Sequence, residues 1–490
     1  MRSTCSRRAE HLPAEPDAHP RPPPRRARPR RRGARRPRRR PPPRRPGPAP
    51  RHPPRRRASP LAAFARAHAA GQRAAWWREP AGHRSFAAIE THADPAAPDL
   101  AAARARLAAA RAALHDDGPD LAPLAVFAAA YDPARPGWPG WPAALLLVPR
   151  AVIVDCSTTA ERWLALTAPI EPDGDDAADL AALAAARDLL LAPAPEPADG
   201  EALTADPAPE ESRAAWITRV TALRDACRDS RLAKVVPARA ATWTAPPGRR
   251  FDLAATLRAL AAAEPDAHVF ALAHAGAVFL GATPERLCAL RGRALDTHAL
   301  AGTARRDPDP DRDAALGRAL ADSGKERHEH AVVVDAIASA LAPLAEALTP
   351  APAPRLRRLG GLQHLETPIA ATLRPHLDLF DAVAALHPTP ALGGAPRALA
   401  RDALAAEPLD RGLYGGPIGH LDARGDGHAA VAIRSALLTP DRARAFAGAG
   451  VVAASDPAAE WRETTLKLGT IGRALRLGAI GPAPHRGATP

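Results

Sequence analysis

HVFALAHAGAVFLGATPER, residues His268 to Arg286, holds two apolar runs around Gly276. It reads as a β-hairpin that ends at Gly281 to Arg286. Upstream of it, a helix over about Ser212 to Arg228 precedes a strand at Lys234 to Arg239, and a second helix covers Leu253 to Ala263. Downstream, a strand near Ala294 to Ala299 runs into LAGTARR, Leu300 to Arg306, and a long helix begins near Ser323. Further strands are expected near His428 to Leu438 and Arg444 to Val452, with a last helix from about Pro457. Strands and helices alternate irregularly, with no βαβ period and no fixed repeat. The pattern predicts an α+β fold rather than a doubly wound sheet.

The first half is less regular. Pro60 to about Ala110 is Ala-rich and reads as helical around a polar loop, Pro95 to Asp99, and the stretch to Gly200 mixes short strands with Pro-broken loops. Ala192 to Glu211, rich in Pro, Ala and acids, reads as a surface linker.

Residues 1–60 hold 21 Arg and 17 Pro against three acids, Glu10, Glu15 and Asp17. Such a segment cannot bury enough apolar surface to offset chain entropy and is expected to be disordered. It carries a net +18, so a 490-residue chain of net charge +14 is left with −4 over the remainder. The arm lacks the apolar core of a secretory signal and the Ser content of a transit peptide. Its charge could attract nucleic acid or an anionic membrane; the plainer reading is a solvated extension that binds neither. Residues 61–490 are expected to form one enzyme domain. No apolar run is long enough to span a membrane, and Cys5, Cys156, Cys227 and Cys288 show no CxxC spacing, so a soluble cytoplasmic protein without disulfides or zinc is expected.

Of 67 basic residues only Lys234, Lys325 and Lys467 are lysines, and there is no Asn. Lysine kept against so strong an arginine bias points to sites that need a compact ammonium or an amine able to lose its proton. Two of the three sit beside paired glutamates. Glu326 and Glu329 are three apart in GKERHEH, and Glu460 and Glu463 are three apart in EWRETTLK, so each pair shares one helix face. Asp456 before Pro457 gives the second helix an N-cap and a first-turn proline. Carboxylates from two helices suit a hard cation such as Mg²⁺; the plain alternative is exposed acids pairing with Arg327 and Lys467. A zinc reading of His328 to His330 is weaker, because residues two apart on a helix diverge. FAGAGVV, Phe446 to Val452, places glycines where amides can approach a carboxylate, as does the segment Gly412 to Gly416 around Tyr414. Arg434 interrupts an apolar strand and could grip a carboxylate with two N–H groups.

In this order the segments KVVPAR, FLGATPER, ALAGTARR, SGKERHEH, LQHLETP, LHPTPALGG, GLYGGPIG, AIRSALL and AGAGVVAASDPAAEWRET resemble the chorismate-utilising enzyme family over about Leu232 to Thr470. The resemblance implies β-sheets flanked by helices around one buried active site. It implies Mg²⁺ on Glu329 and Glu463, with Glu326 and Glu460 in support. Chorismate would be held by Ala301, Gly302, Thr303, His364, Tyr414, Arg434, the Gly448, Ala449 and Gly450 backbone, and Lys467.

Within the family, Lys234 matches the base that activates water in isochorismate and salicylate synthases, and Glu285 matches the acid that protonates the departing 4-hydroxyl. The resemblance is therefore to isochorismate synthase. Salicylate synthase, which adds pyruvate elimination, is the alternative, ahead of anthranilate and aminodeoxychorismate synthases. The implied product feeds menaquinone or catecholate siderophore synthesis, and the implied enzyme is a monomer.

Overall fold

The computed structural model describes residues 59–91, 95–112, 123–135, 137–168, 176–192, 202–229, 231–359, 361–478 and 480–482, all within one compact unit. The arm, apart from Ser59 and Pro60, and residues 193–201 of the linker lie outside them.

The described residues build two ten-stranded antiparallel sheets stacked face to face, with helices on both outer faces. Side-chain alternation along single strands shows the layering. In Ala74–Arg78, Ala74 and Trp76 join the outer apolar cluster of the first sheet, while Ala75 and Trp77 join the cluster between the sheets. In Ala125–Ala129 of the second sheet, Phe127 faces outward and Val126 inward. The helices Pro60–Ala69, Leu253–Ala263 and Pro457–Leu477 cover the first sheet, and Leu100–Ala112, Gly324–Leu341 and Leu379–Leu386 cover the second.

The expected α+β class is therefore observed, as is the hairpin: His268–His274 pairs with Ala277–Thr283 through a turn in which Ala275 and Gly276 both have positive φ. The helical reading of Pro60 to Ala110 is corrected. Helix is confined to Pro60–Ala69 and Leu100–Ala112, and strands Ala74–Arg78, Arg84–Thr91 and Ala96–Ala97 lie between. Alanine favours helix locally, but Ala74 to Trp77 are buried on both faces, which removes the two-residue period that would have marked a strand.

Two connections place the chemistry. Ala277–Thr283 belongs to the first sheet and Arg286–Arg291 to the second, so the chain crosses between them at Pro284-Glu285. Gly427–Val431 and Ser435–Leu438 likewise belong to different sheets, so the strand expected over His428 to Leu438 is cut at Ala432 to Arg434, where Arg434 takes φ 48°. The crossings lie side by side: Val431 N–H donates to Glu285 O at 2.9 Å, and Ala282 N–H to Arg434 O at 3.1 Å.

Lys234–Val235 is held in a short ladder with Gly394–Ala395 and bridged to Val451. Gly394 has φ 128°, and a Cβ there would stand 2.2 Å from Lys234 O. Because backbone cannot yield as a side chain can, Gly394→Ala is expected to cost on the order of 3 kcal/mol or more. Gly276→Ala, also at positive φ but facing open space, should cost only about 1–2 kcal/mol. Urea denaturation of the two variants checks this, and equal losses would contradict the close-approach argument.

Candidate active site

The two crossings, the Lys234 strand and the helices Gly324–Leu341 and Pro457–Leu477 converge on one cavity. Lys234, Glu285, Ala301, Gly302, Thr303, Glu329, His364, Tyr414, Arg434, Gly448, Gly450, Glu463 and Lys467 line it. These are the sequence-selected residues except Glu326, Glu460 and Ala449. Glu326 and Glu460 are not among the lining residues. Ala449 is turned away into a cluster with Trp216 and Val220, and its N–H is spent on Pro237 O at 3.1 Å. The expectation that the Ala449 amide receives substrate is thereby corrected.

Each of the three lysines meets the paired glutamates. Lys234, 2% exposed, donates to Glu329 Oε1 at 2.7 Å. Lys467 donates to Glu463 Oε1 at 2.7 Å and to Gly448 O at 2.9 Å. Lys325 Nζ lies 3.7 Å from both Glu326 Oε1 and Glu460 Oε1, tying the two helices together. Both helices begin as read: the Ser323 hydroxyl and the Asp456 carboxylate cap them. Gly302, φ 77°, forms a bulge in the Ala294–Arg305 strand, and Glu326 takes the N–H of Thr303 beside it.

Burial raises the Glu326 carboxyl, and Glu329 raises it further. Burial, then Glu463, pushes Glu460 up to about 7. For Glu329, burial is outweighed by the Lys234 ammonium, which holds its carboxyl below the usual range. Four carboxylates thus share three ammonium groups, and two of the four are short of positive charge. Oxygen donors alone, in a surplus of negative charge, fit a hard divalent cation. Among the described residues no three His, Cys, Asp or Glu side chains already stand close enough to share an ion.

Across the cavity Glu285 is buried, and its Oε1 accepts from Thr389 Oγ1 at 3.3 Å. Burial lifts its carboxyl to about 7, although Thr389, Lys234, Lys467 and Arg434 pull the other way. Arg434 Nη2 donates to His364 Nε2 at 2.8 Å. A guanidinium can only donate, so Nε2 carries the lone pair, and Nδ1–H donates to Gly302 O at 3.0 Å. Burial and Arg434 keep this imidazole well below its usual range, hence neutral. His364 therefore aims Arg434 rather than presenting a charge. Tyr414 stacks on Phe446 at 5.3 Å and faces Gly448.

Sequence reading missed Thr389, although it lies inside LHPTPALGG. It also missed the buried pair Arg411 and Glu407. Arg411 donates to Glu407 at 2.6 and 3.0 Å, to Val236 O at 2.7 Å and to Leu392 O at 3.1 Å, while Glu407 accepts from Ala238 N–H at 2.6 Å. This pair braces two walls of the cavity, and no local pattern announces it.

A cavity lined by a buried lysine, a carboxyl lifted to about 7, an aimed guanidinium and glutamates short of positive charge has the chemistry of an acid–base site for a small carboxylate-rich substrate. The chain belongs to the chorismate-binding enzyme family, which it matches over residues 53–476. It is 43% identical over 328 residues to a salicylate-biosynthesis isochorismate synthase of Pseudomonas aeruginosa, covering 66% of this chain and 68% of that protein. It is 36% identical over 258 residues to the isochorismate synthase MenF of Bacillus subtilis, covering 52% and 54%. Its fold matches the menaquinone-specific isochorismate synthase MenF of Escherichia coli with a TM-score of 0.72 at 27% identity, over 85% of this chain and 91% of that one.

Glu285 should be neutral below and charged above a pH of about 7. A titration of carboxyl-¹³C-glutamate protein should show a resonance with that midpoint that vanishes in Glu285→Gln. Ordinary carboxylate titration of every resonance lost in Glu285→Gln would contradict the burial argument.

Proposed function

We propose that this chain is an isochorismate synthase, which adds water to ring carbon 2 of chorismate and expels the 4-hydroxyl. The observation that carries this reading is that Lys234 and Glu285, both buried, line one cavity, the carboxyl lifted to about 7 by burial. Relatives named isochorismate synthase support the substrate.

Chorismate carries two carboxylates. Arg434, aimed by His364, and Lys467, fixed on Gly448 O, receive the enolpyruvyl carboxylate together with Tyr414 and the Gly448 and Gly450 backbone. Ala301 to Thr303 border the ring. Glu329 and Glu463, with Glu326 and Glu460 in support, would hold Mg²⁺, which supplies a positive charge for the ring carboxylate. Lys234, freed of its ion pair with Glu329 and having released its own ammonium proton to solvent, takes a proton as the neutral amine from the water whose oxygen bonds to carbon 2. Both ring double bonds shift by one position, from carbons 1–2 and 5–6 to carbons 1–6 and 4–5, the bond from carbon 4 to oxygen breaks, and Glu285 gives its proton to the leaving hydroxide. One water enters and one leaves, so the reaction is an isomerisation. Arginine in place of Lys234 would stay protonated and fail as the base.

Isochorismate made in this way would feed menaquinone or catecholate siderophore synthesis. A cytoplasmic place of action belongs to the same proposal. Among the described residues no helix is long and apolar enough to cross a membrane.

Chromatography of chorismate incubated with the protein should show isochorismate that depends on Mg²⁺. In Lys234→Ala the rate should fall about 10²- to 10⁴-fold, the range for a positioned base. Salicylate and pyruvate would instead make the chain a salicylate synthase, and unchanged chorismate would contradict both. The ionisation of Glu285 in the free enzyme should set one limb of the kcat/KM profile, near a pH of about 7. Thr389→Val removes a bond to the charged form, so that limb should move to higher pH. A limb unmoved in Thr389→Val would exclude Glu285 as the acid.

A further inference from the structure

Arg239 ends the KVVPAR motif yet does not line the cavity. It is 4% exposed, on the strand Ala238–Thr244, opposite Ala447 and one residue from the Ala238–Gly448 pair. Its Nε donates to Thr464 Oγ1 and its Nη2 to Thr465 Oγ1, both at 2.8 Å. Each hydroxyl passes its own proton to Trp461 O, at 2.9 and 2.8 Å. The guanidinium lies 3.7 Å from the centroid of the Trp461 ring and 5.9 Å from that of Trp216. Glu211, the acid whose charge it senses, is itself held by Arg219 at 3.0 and 2.7 Å. Burial accordingly pushes Arg239 down to about 10.

A buried cation served only by hydroxyls and aromatic faces is a poor stability device. An apolar chain of the same volume would fill the space without the desolvation cost. What the guanidinium adds is direction, because its fork fixes two hydroxyls on one helix at once. At about 100° per residue, Glu463, Lys467 and Glu460 span roughly 60° of the helix surface, and the Thr464, Trp461 and Thr465 flank lies beside them. The clamp therefore sets the rotation of that face. Arg239 also sits on the strand whose neighbour carries Gly448 O, the acceptor of Lys467.

We propose that Arg239 is a positioning residue: through Thr464, Thr465 and Trp461 it fixes the rotation of the helix Pro457–Leu477, and with it the aim of Glu463 and Lys467 into the cavity and the placement of Glu460 on the same helix face. The consequence for substrate and cation rests on the functional reading above.

The test uses the full chain with Arg239→Met, the double variant Thr464→Val/Thr465→Val, and the hydroxyl-keeping Thr464→Ser/Thr465→Ser. The readouts are melting temperature, kcat and KM for chorismate, and Mg²⁺ binding by calorimetry without chorismate. Arg239→Met and the valine pair should melt no lower than about 3 °C below the parent. Both should nonetheless lose about 10- to 100-fold in kcat/KM and about 10-fold in Mg²⁺ affinity, as misplaced groups do. The serine pair should stay within about twofold of the parent on the same argument. Parent-like kcat/KM and Mg²⁺ affinity in both Arg239→Met and the valine pair would overturn the proposal. So would melting and activity falling together with cation binding intact in the folded fraction. If the parent itself makes no isochorismate, the functional reading fails, and the Mg²⁺ affinities alone still decide whether the clamp sets the carboxylates.

Discussion

The ion pair between Lys234 and Glu329 is the contact on which the rest of the site depends. An ammonium this deeply buried needs a charged partner, and Glu329 supplies it from a helix 95 residues further on. Two glycines make room for it. A Cβ at Gly450 would stand 2.6 Å from Glu329 Oε1 and 2.8 Å from Lys234 Cε, and one at Gly394 would strike the Lys234 carbonyl. Four segments distant in sequence are thus committed to one geometry, and none can move without unpairing a buried charge.

Around that pair the charges are arranged to be completed by what binds. Four glutamates meet three lysines on one side, and on the other a neutral His364 directs a buried Arg434. A divalent cation together with a substrate bearing two carboxylates brings opposite charges to both sides at once. The Arg411–Glu407 pair is satisfied within the protein and serves a different end, joining Val236, Ala238 and Leu392 so that the cavity walls keep their spacing.

Much of the second half was legible because its signals are local. Asp456 before Pro457 announces the last helix, the long helix starts at Ser323 as expected, and glycine at Gly276 announces the hairpin. The strands at Trp76 and Phe86 were not legible, since burial on both faces erases alternation and alanine weighs toward helix. The break at Arg434 was invisible for another reason: whether an apolar run stays in one sheet or crosses to a second is decided by its neighbours. At the site, motif order brought together residues from two sheets and two helices. It gave no direction for single groups, so the outward turn of Ala449, the Thr389 hydroxyl on Glu285 and the Arg239 clamp emerged only from packing.

On the proposed mechanism Lys234 delivers water to the ring while Glu285 removes the original hydroxyl, so the product hydroxyl must carry solvent oxygen, which isotope labelling reads. The reaction is run in H₂¹⁸O and the isochorismate weighed by mass spectrometry. The account predicts one solvent-derived ¹⁸O in the product hydroxyl, in a yield that collapses in Lys234→Ala. Isochorismate formed without solvent oxygen would mean that the hydroxyl migrates within the substrate, and would contradict the role given to Lys234.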